Sequence, residues 1–327
     1  MYLMIYRMPS QSHLSALINP RHKAIRIGIP PVTDKPIDYA LIDTHTHFDD
    51  FVFDEDRLSL ATAAYGSGLR HLLLIGYLAK YFERMRQTQQ QLSSYSHNTQ
   101  ANKAAVPKVY LASGLHPAYI FEHTEADLDC LAQFLQRHPH VAIGEIGLDT
   151  FSDELKTDES LKKQKRFFSA QLDLAVEHQL PVLLHIRKAH AECLALLKQH
   201  QYKATELGGI AHSFSGGEQE AKAFVKLGFK IGVTGQITNT NAKKLRRAIT
   251  AVVEEFGLQS LVLETDCPDM TPVCCQQGST PTRNVPGNLG FVLQGLSELL
   301  HVDKATLAQQ LWQNSCEALK VDWPYPA

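Results

Sequence analysis

The sequence has few of the features that mark several common protein classes. Its six cysteines form no C-x-x-C pair and have no zinc-finger spacing, so we expect reduced thiols and a cytoplasmic location. No apolar run approaches the roughly 18 residues that a membrane helix needs, and we therefore expect no membrane insertion. The formal net charge of −2 argues against broad nucleic-acid binding driven by excess positive charge. A small, local site for a charged ligand is still compatible with this composition.

Histidine, by contrast, is abundant, with 16 residues in the chain. Histidine is the commonest metal ligand, so this content favours a metal site. His45 and His47 are one residue apart in a strand-like run, project from the same face and can share a metal ion. Chance alone supplies about one such pair in a chain of this composition, and a second pair, His138 and His140, does occur. The meaning of the first pair therefore depends on its place in the chain.

The pattern of prolines and apolar residues predicts one large domain. Residues 1–37 lack sustained periodicity and contain five prolines, which interrupt helices and central strands. We expect them to form an extension outside the core. Residues 38–322 are predicted to form a single domain, and residues 323–327 a C-terminal tail.

Short apolar runs alternate with longer helical patterns throughout the predicted domain, which is typical of repeated βα units and a parallel sheet. The predicted strands are Ala40–His47, His71–Tyr77, Lys108–Leu115, Val141–Leu148, Pro181–Ile186, Gly209–Phe214, Phe229–Gly235 and Leu261–Asp266. Eight such units predict an α/β fold of the (β/α)8 TIM-barrel type, with the active site at the carboxyl ends of the strands. A doubly wound open sheet is the alternative. It would usually carry a glycine-rich phosphate turn after the first strand, where this chain has His-x-His.

Metal-binding residue types collect at these predicted strand ends. Six of the eight strands end in a histidine or a carboxylate, namely His45, His47, His116, Glu145, His185, His212 and Asp266. A carboxylate that follows a buried strand needs a metal ion or a salt bridge as its partner, and one metal centre accounts for all of these residues together. Glu264 is expected one layer below Asp266, and Asp43 stands in the same relation to His45.

The motifs that carry these residues resemble the TatD-like metal-dependent hydrolases, a branch of the amidohydrolase-type barrels. The resemblance extends over Ile37 to Leu319, and Asp269-Met270 after Cys267-Pro268 is closer to the YjjV-like subgroup. The motifs are Asp43-Thr44-His45-Thr46-His47-Phe48-Asp49, Gly114-Leu115-His116-Pro117, Gly144-Glu145-Ile146-Gly147-Leu148-Asp149, Leu184-His185-Ile186-Arg187, His212-Ser213-Phe214-Ser215-Gly216 and Glu264-Thr265-Asp266-Cys267-Pro268.

The resemblance implies a centre of two divalent metal ions, either magnesium, manganese or zinc. It places His45 and His47 on one ion and His185 and His212 on the other. Glu145 bridges the two ions, and Asp266 binds the first ion and handles a proton, so that Glu145 and Asp266 are the expected catalytic residues. Three further residues are expected on the substrate side, namely His116, Arg187 and Arg283.

The leading functional hypothesis is a metal-dependent hydrolase of phosphodiester bonds, with DNA as the expected substrate by resemblance. With no broad basic surface, contacts should be confined to a few phosphates. Hydrolysis of an amide or ester bond in a small molecule or an aminoacyl group is the alternative, because the same barrel and ligands serve both reactions. A non-catalytic metal-binding scaffold is a third reading. We expect the protein to be a monomer.

Overall fold

The computed structural model describes residues 37–98, 105–276, 278 and 282–326. The predicted N-terminal extension therefore lies outside the described residues, apart from Ile37. Within the described part of the chain, no helix combines the length and the apolar composition that crossing a bilayer requires.

Eight parallel strands form one sheet in the order in which they occur along the chain. They are β1 (Leu41–Thr46), β2 (Leu69–Ile75), β3 (Lys108–Ser113), β4 (Ala142–Asp149), β5 (Val182–Arg187), β6 (Gly209–Ala211), β7 (Lys230–Val233) and β8 (Leu261–Leu263). The predicted (β/α)8 barrel is confirmed.

Hydrogen bonds just beyond β8 bring the last strand back to the first. The amide of Asp266 donates to the carbonyl of His45 at 2.9 Å, and the amide of His47 donates to the carbonyl of Cys267 at 2.8 Å. The Thr44 hydroxyl also donates to the carbonyl of Leu263 at 2.9 Å. Asp266 therefore lies beside the first histidine pair because the barrel closes at that point.

Helices cover the outside of the barrel. They are α1 (Arg57–Gly66), α2 (Phe82–Asn98), α3 (Glu125–Arg137), α4 (Asp158–Glu177), α5 (His190–His200), α6 (Ala204–Leu207), α7 (Glu218–Lys226), α8 (Lys243–Phe256), α9 (Leu289–Leu300) and α10 (Lys304–Leu319). Buried leucines, isoleucines and phenylalanines fill the layer between sheet and helices, and a second cluster with fewer residues joins the opposite face of the strands to the end of α10. This rigid scaffold sets the positions of the strand ends.

Two strands end three residues earlier than the sequence pattern predicts. β6 stops at Ala211 and β8 at Leu263, whereas the predicted strands extend to Phe214 and Asp266. Ser213 and Asp266 both have positive φ angles, of 41° and 56°, which no regular strand accommodates. The backbone therefore turns out of the ladder where these segments deliver their polar side chains.

The C-terminal residues lie against the amino-terminal end of the barrel. The Trp323 ring stacks on Tyr110 with 4.2 Å between centroids and lies 4.6 Å from the ring of His71. The indole nitrogen of Trp312, on α10, donates to the carbonyl of Trp323 at 2.7 Å. The amide of Ala40 donates to the Tyr325 hydroxyl at 3.0 Å. Residues 323–326 thus cover the end of the barrel opposite to the strand ends that carry His45 and His47.

We predict that Trp323→Ala lowers the free energy of unfolding by about 2 kcal/mol, because it removes a half-buried aromatic ring that packs against two others. Denaturant unfolding followed by circular dichroism measures this change. The neighbouring exposed residue provides the control, and Pro324→Ala should change stability by less than about 0.5 kcal/mol. Equal stability of the two variants would show that these C-terminal contacts add nothing to the barrel.

Candidate metal centre

Glu145 lies at the centre of the polar cluster and is 2% exposed. Its two carboxylate oxygens face different histidines. Oε2 is 3.2 Å from Nε2 of His45 and 3.7 Å from Nε2 of His47, whereas Oε1 is 2.7 Å from Nδ1 of His185 and 3.7 Å from Nε2 of His212. A carboxylate in this position can serve two cations at once, one on each oxygen.

Close packing of the backbone holds Glu145 at this point. A Cβ on Gly114, at the end of β3, would lie 2.6 Å from the carbonyl carbon of Gly144 and 2.9 Å from the amide nitrogen of Glu145. Only glycine allows the two chain segments to approach so closely. The Gly114-Leu115-His116-Pro117 motif therefore brings its histidine alongside β4.

Asp266 completes the cluster from the closing side of the barrel. Its Oδ1 is 3.9 Å from Nε2 of both His45 and His47, and its Oδ2 is 3.5 Å from Nε2 of His212. The six predicted ligands therefore come together in the structure, and Asp266 reaches histidines of both expected ion sites.

The hydrogen-bond partner of each ring decides which nitrogen can bind a metal. Nδ1 of His47 donates to the carbonyl of Ile75 at 3.1 Å, which leaves the lone pair of Nε2 facing Glu145. Nδ1 of His212 is within ion-pair distance of Oε1 of Glu264, at 3.1 Å, but forms no hydrogen bond, and its Nε2 faces Glu145 and Asp266. Glu264 is fully buried beneath the cluster, in the lower layer that the strand period indicates.

In His116, by contrast with His47, Nδ1 accepts a hydrogen bond and does not donate one. The amide of Ala118 donates to Nδ1 of His116 at 3.0 Å, so the neutral ring carries its proton on Nε2. Burial lowers the pKa of His116 to about 4, which keeps the ring neutral near pH 7. Nε2 lies 3.5 Å from Oε2 of Glu145. The position would suit a metal ligand, but the tautomer suits a hydrogen-bond donor.

The cluster has more negative charge, from its carboxylates, than permanent positive charge, and a metal ion would supply the missing positive charge. Among the described residues, the ion pairs of Glu145, Asp149, Glu264 and Asp266 are formed with histidines and with no lysine or arginine. Burial opposes the charged form of each group, yet Glu145 and Asp149 raise the pKa of His185 to about 9. The carboxylates of Glu264 and Asp266 likewise raise the pKa of His212 well above its usual value. The carboxylates therefore require cations here, and divalent ions meet that requirement.

Unpaired nitrogen atoms also show that the residues fit metal ions. Both ring nitrogens of His45 are buried without a hydrogen-bond partner, and burial lowers the pKa of this ring, so it is neutral. A buried polar group without a partner is costly, and a metal bond would remove that cost. Among the described residues there are three sets whose donor atoms lie within 4.8 Å of the other donors of the same set. They are His45, His47 and Glu145, then His116, Glu145 and His185, then His45, His212 and Glu264. Imidazole and carboxylate donors suit zinc or manganese.

The two predicted arginines have different surroundings. The guanidinium of Arg187 lies 3.6 Å over the Phe151 ring, and its Nη2 is buried without a partner. Arg283 instead binds the carboxylate of Asp56 at 2.5 Å and donates to the carbonyl of Val52. Arg187 thus retains a free donor, whereas the structure places Arg283 in contact with the loop after β1. A phosphate contact by Arg283 stays a prediction.

One positioning residue, Asp149, was not among the predicted site residues, and a second, Asp43, is buried in the lower layer that the strand period indicates. Nε2 of His185 donates to Oδ2 of Asp149 at 2.9 Å, which holds the ring with Nδ1 toward Glu145. Asp43 accepts hydrogen bonds from the amide and hydroxyl of Thr265 at 2.9 and 2.6 Å, next to Asp266. Asp149 ends the Gly-Glu-Ile-Gly-Leu-Asp motif at an even spacing from Glu145, which is a signal in the sequence for a shared strand face.

We predict that Glu145→Gln lowers the content of both ions, because its two oxygens face both histidine sets. His47→Ala and His185→Ala should each remove about one ion and retain the other. Elemental analysis after dialysis against manganese or zinc measures the number of ions per chain.

His200 pairs with Asp173 away from the cluster at 3.0 Å, so His200→Ala is the matched control and should bind as much metal as the unmodified chain. Full metal content in the Glu145→Gln variant would contradict the central position of Glu145.

Comparison with known proteins agrees with this geometry. A family model described as TatD related DNase matches residues 42–320. An Escherichia coli protein named uncharacterized metal-dependent hydrolase YjjV is 37% identical over 276 residues, which span 84% of this chain and 95% of that protein. A protein of Escherichia fergusonii named 3'-5' ssDNA/RNA exonuclease TatD is 30% identical over 78% of this chain and 90% of its own length.

The solved structures lead to the same family. The crystal structure of Escherichia coli YjjV matches with a TM-score of 0.73 and 35% identity, and the match covers 88% of this chain and all of that one. The resemblance inferred from the sequence motifs is confirmed. The chain belongs to the TatD related DNase family and is a metal-dependent hydrolase that acts on ester bonds.

Proposed function

We propose that the protein hydrolyses phosphodiester bonds of DNA at a centre of two divalent ions. His45, His47 and Asp266 would hold one ion, His185 and His212 would hold the other, and Glu145 would contribute one oxygen to each. The observation that carries the proposal is the division of the Glu145 oxygens between two sets of histidines. When bound, such ions activate a water molecule and neutralise the charge that develops on a phosphoryl group.

Asp266 is suited to accept the proton of the attacking water. Burial by itself would raise the pKa of this carboxylate, but His212, His45 and His47 lower it below the usual value, so the residue is ionised at neutral pH. Its two oxygens reach toward both histidine sets. A general base must lie within hydrogen-bond reach of the water that it deprotonates, and this is the role that we propose for Asp266 between the two histidine sets.

Arg187 and His116 are suited to bind the phosphate. Arg187 has an unpaired, buried Nη2, and its ring partner Phe151 fixes the guanidinium plane. A guanidinium binds phosphate oxygens through paired donors. The neutral His116 ring presents an Nε2 proton toward Oε2 of Glu145, at the candidate metal centre. We propose that these two residues orient the scissile phosphate while Asp266 accepts the proton of the attacking water.

Nucleic acid is the substrate class that the relatives support. Several relatives, among them the Escherichia fergusonii protein, are named 3'-5' ssDNA/RNA exonuclease. A net charge of −2 makes long tracts of phosphate contacts unfavourable. We therefore expect the protein to engage a short single-stranded segment rather than a long duplex.

We predict that Asp266→Asn reduces cleavage of a single-stranded oligonucleotide by at least about 100-fold, with a small change in the KM. Arg187→Ala should instead raise the KM by about tenfold or more, because a charge-assisted contact to phosphate is lost. Gel analysis of end-labelled DNA with added manganese measures both effects.

Lys226 provides a control, because it pairs with Glu255 on the outer helices at 3.2 Å. Lys226→Ala should cleave DNA at the rate of the unmodified chain. Absence of DNA cleavage with manganese, magnesium and zinc, together with hydrolysis of an acyl ester or amide, would overturn the proposal in favour of the second reaction class.

A further inference from the structure

Large hydrophobic side chains are exposed mainly at the end of the barrel that carries the candidate metal centre. Among the described residues, six are exposed, and four of these lie in loops that follow strand carboxyl ends, namely Phe51, Val52, Phe121 and Val273. Phe51 is 51% and Phe121 is 60% exposed. Contiguous exposed apolar side chains mark binding sites, and Phe51 and Val52 are adjacent in the loop after β1. This distribution indicates that the mouth of the barrel binds a ligand with apolar faces.

A continuous row of aromatic rings leads from the metal centre to Phe51. The ring centroid of His47 is 5.7 Å from that of Tyr77, which is 5.4 Å from Tyr81, which in turn is 5.8 Å from Phe51. A branch runs from Tyr77 to Tyr119 at 5.5 Å and on to His116 at 5.7 Å. We refer to Tyr77, Tyr81, Phe51 and Tyr119 as the aromatic strip.

The burial of the aromatic strip changes along its length. Tyr77, beside His47, is buried, Tyr81 and Tyr119 are half-buried, and Phe51 is exposed. Rings that served only the core would be buried together and would not extend into solvent. The strip thus connects the reaction centre with the outer surface.

The outer end of the strip is held rigidly. The guanidinium of Arg84 lies 3.7 Å over the Phe51 ring, and its Nε donates to the carbonyl of Asp49 at 2.7 Å. Arg57 donates to the carbonyls of Phe48 and Asp50, both at 2.8 Å. Arg283 donates to the carbonyl of Val52, which follows Phe51 in the loop. An aromatic side chain on a fixed loop loses little entropy on binding a ligand.

Charges beside the strip are mostly paired with one another. Lys80 bonds with Glu122 at 2.7 Å, Arg57 with Asp54 at 2.7 Å and Arg283 with Asp56 at 2.5 Å. Arg84 is also paired with Asp54. These arginines and lysines are therefore not available as a row of phosphate contacts. Binding along the strip must come from ring faces rather than from charge.

We propose that the aromatic strip is a base-stacking subsite for single-stranded nucleic acid, on which bases next to the scissile phosphate stack on Phe51 and Tyr81. The inference rests on the proposed function, because the strip begins at the centre where the phosphate is cleaved. Stacking of bases on aromatic rings tolerates any sequence, since every base has a flat face. The strip accordingly gives affinity for single strands without base specificity.

The test compares two variants that each remove a ring paired with an arginine. Phe51→Ala removes the ring beneath Arg84, and Tyr65→Ala removes a ring beneath Arg70, with 4.3 Å between guanidinium carbon and ring centroid. Tyr65 lies at the end of α1, next to the amino-terminal ends of the strands, so it is the matched control. Both are placed in an Asp266→Asn background with manganese present, and binding is followed by fluorescence anisotropy. The two probes are a single-stranded oligonucleotide and one of equal length whose terminal residues lack bases.

Phe51→Ala should weaken binding of the oligonucleotide with bases by about tenfold and leave binding of the abasic probe unchanged. Tyr65→Ala should alter neither, and Phe51→Trp should restore affinity. The slope of log K against log salt should be the same with and without the Phe51 ring, whereas Arg187→Ala should reduce it by about 0.7 because one phosphate contact is lost.

Equal affinities of the Phe51→Ala and Tyr65→Ala variants, or equal losses on both probes, would overturn the stacking subsite. The proposed function is separately tested by cleavage in the chain with Asp266 intact. Cleavage of single-stranded DNA that is unaffected by Phe51→Ala contradicts the subsite alone, whereas no cleavage and no binding contradict both.

Discussion

The structure of the site depends on one interaction, the burial of the Glu145 carboxylate among five histidines. A fully buried anion is very costly unless positive charge or hydrogen bonds surround it. This chain supplies neutral or protonated imidazoles in place of lysine or arginine. Imidazoles can exchange a proton for a metal ion, which a lysine in a salt bridge cannot readily do. The buried carboxylate of Glu145 is therefore stable only with positive charge beside it. The histidines can supply that charge as protonated rings or, after losing their protons, by binding metal ions.

The barrel converts distant parts of the sequence into this cluster. β1 and β8 are more than 200 residues apart, yet hydrogen bonds beyond the end of β8 bring Asp266 beside His45. A second layer of carboxylates then fixes the rings, since Asp149 orients His185 and Glu264 faces His212. In metal sites such outer partners set the tautomer and orientation of the ligands. Buried carboxylates below the centre thus contribute to its chemistry without touching the substrate.

Most of the fold, and the gathering of these histidines and carboxylates at one end of the barrel, could be predicted from the sequence because both follow from simple periodicity. Alternating apolar runs predict the eight strands, and strand ends of a parallel barrel meet at one face. The early end of β8 could not be predicted, because the positive φ of Asp266 is set by tertiary contacts. The surroundings of Arg283 depend on Asp56, a distant residue whose position only the folded chain determines. The aromatic strip joins residues of three separate loops, which become neighbours only in the folded chain. No local sequence pattern therefore indicates it.

The most direct test of this account is a crystal structure of the protein grown with manganese, with anomalous scattering used to locate the ions. The account predicts two anomalous peaks, one against each carboxylate oxygen of Glu145. The first should be bound by His45 and His47 and the second by His185 and His212. A single peak that contacts Glu145 through one oxygen, or peaks at other residues, would contradict the bridging role on which the proposed reaction depends.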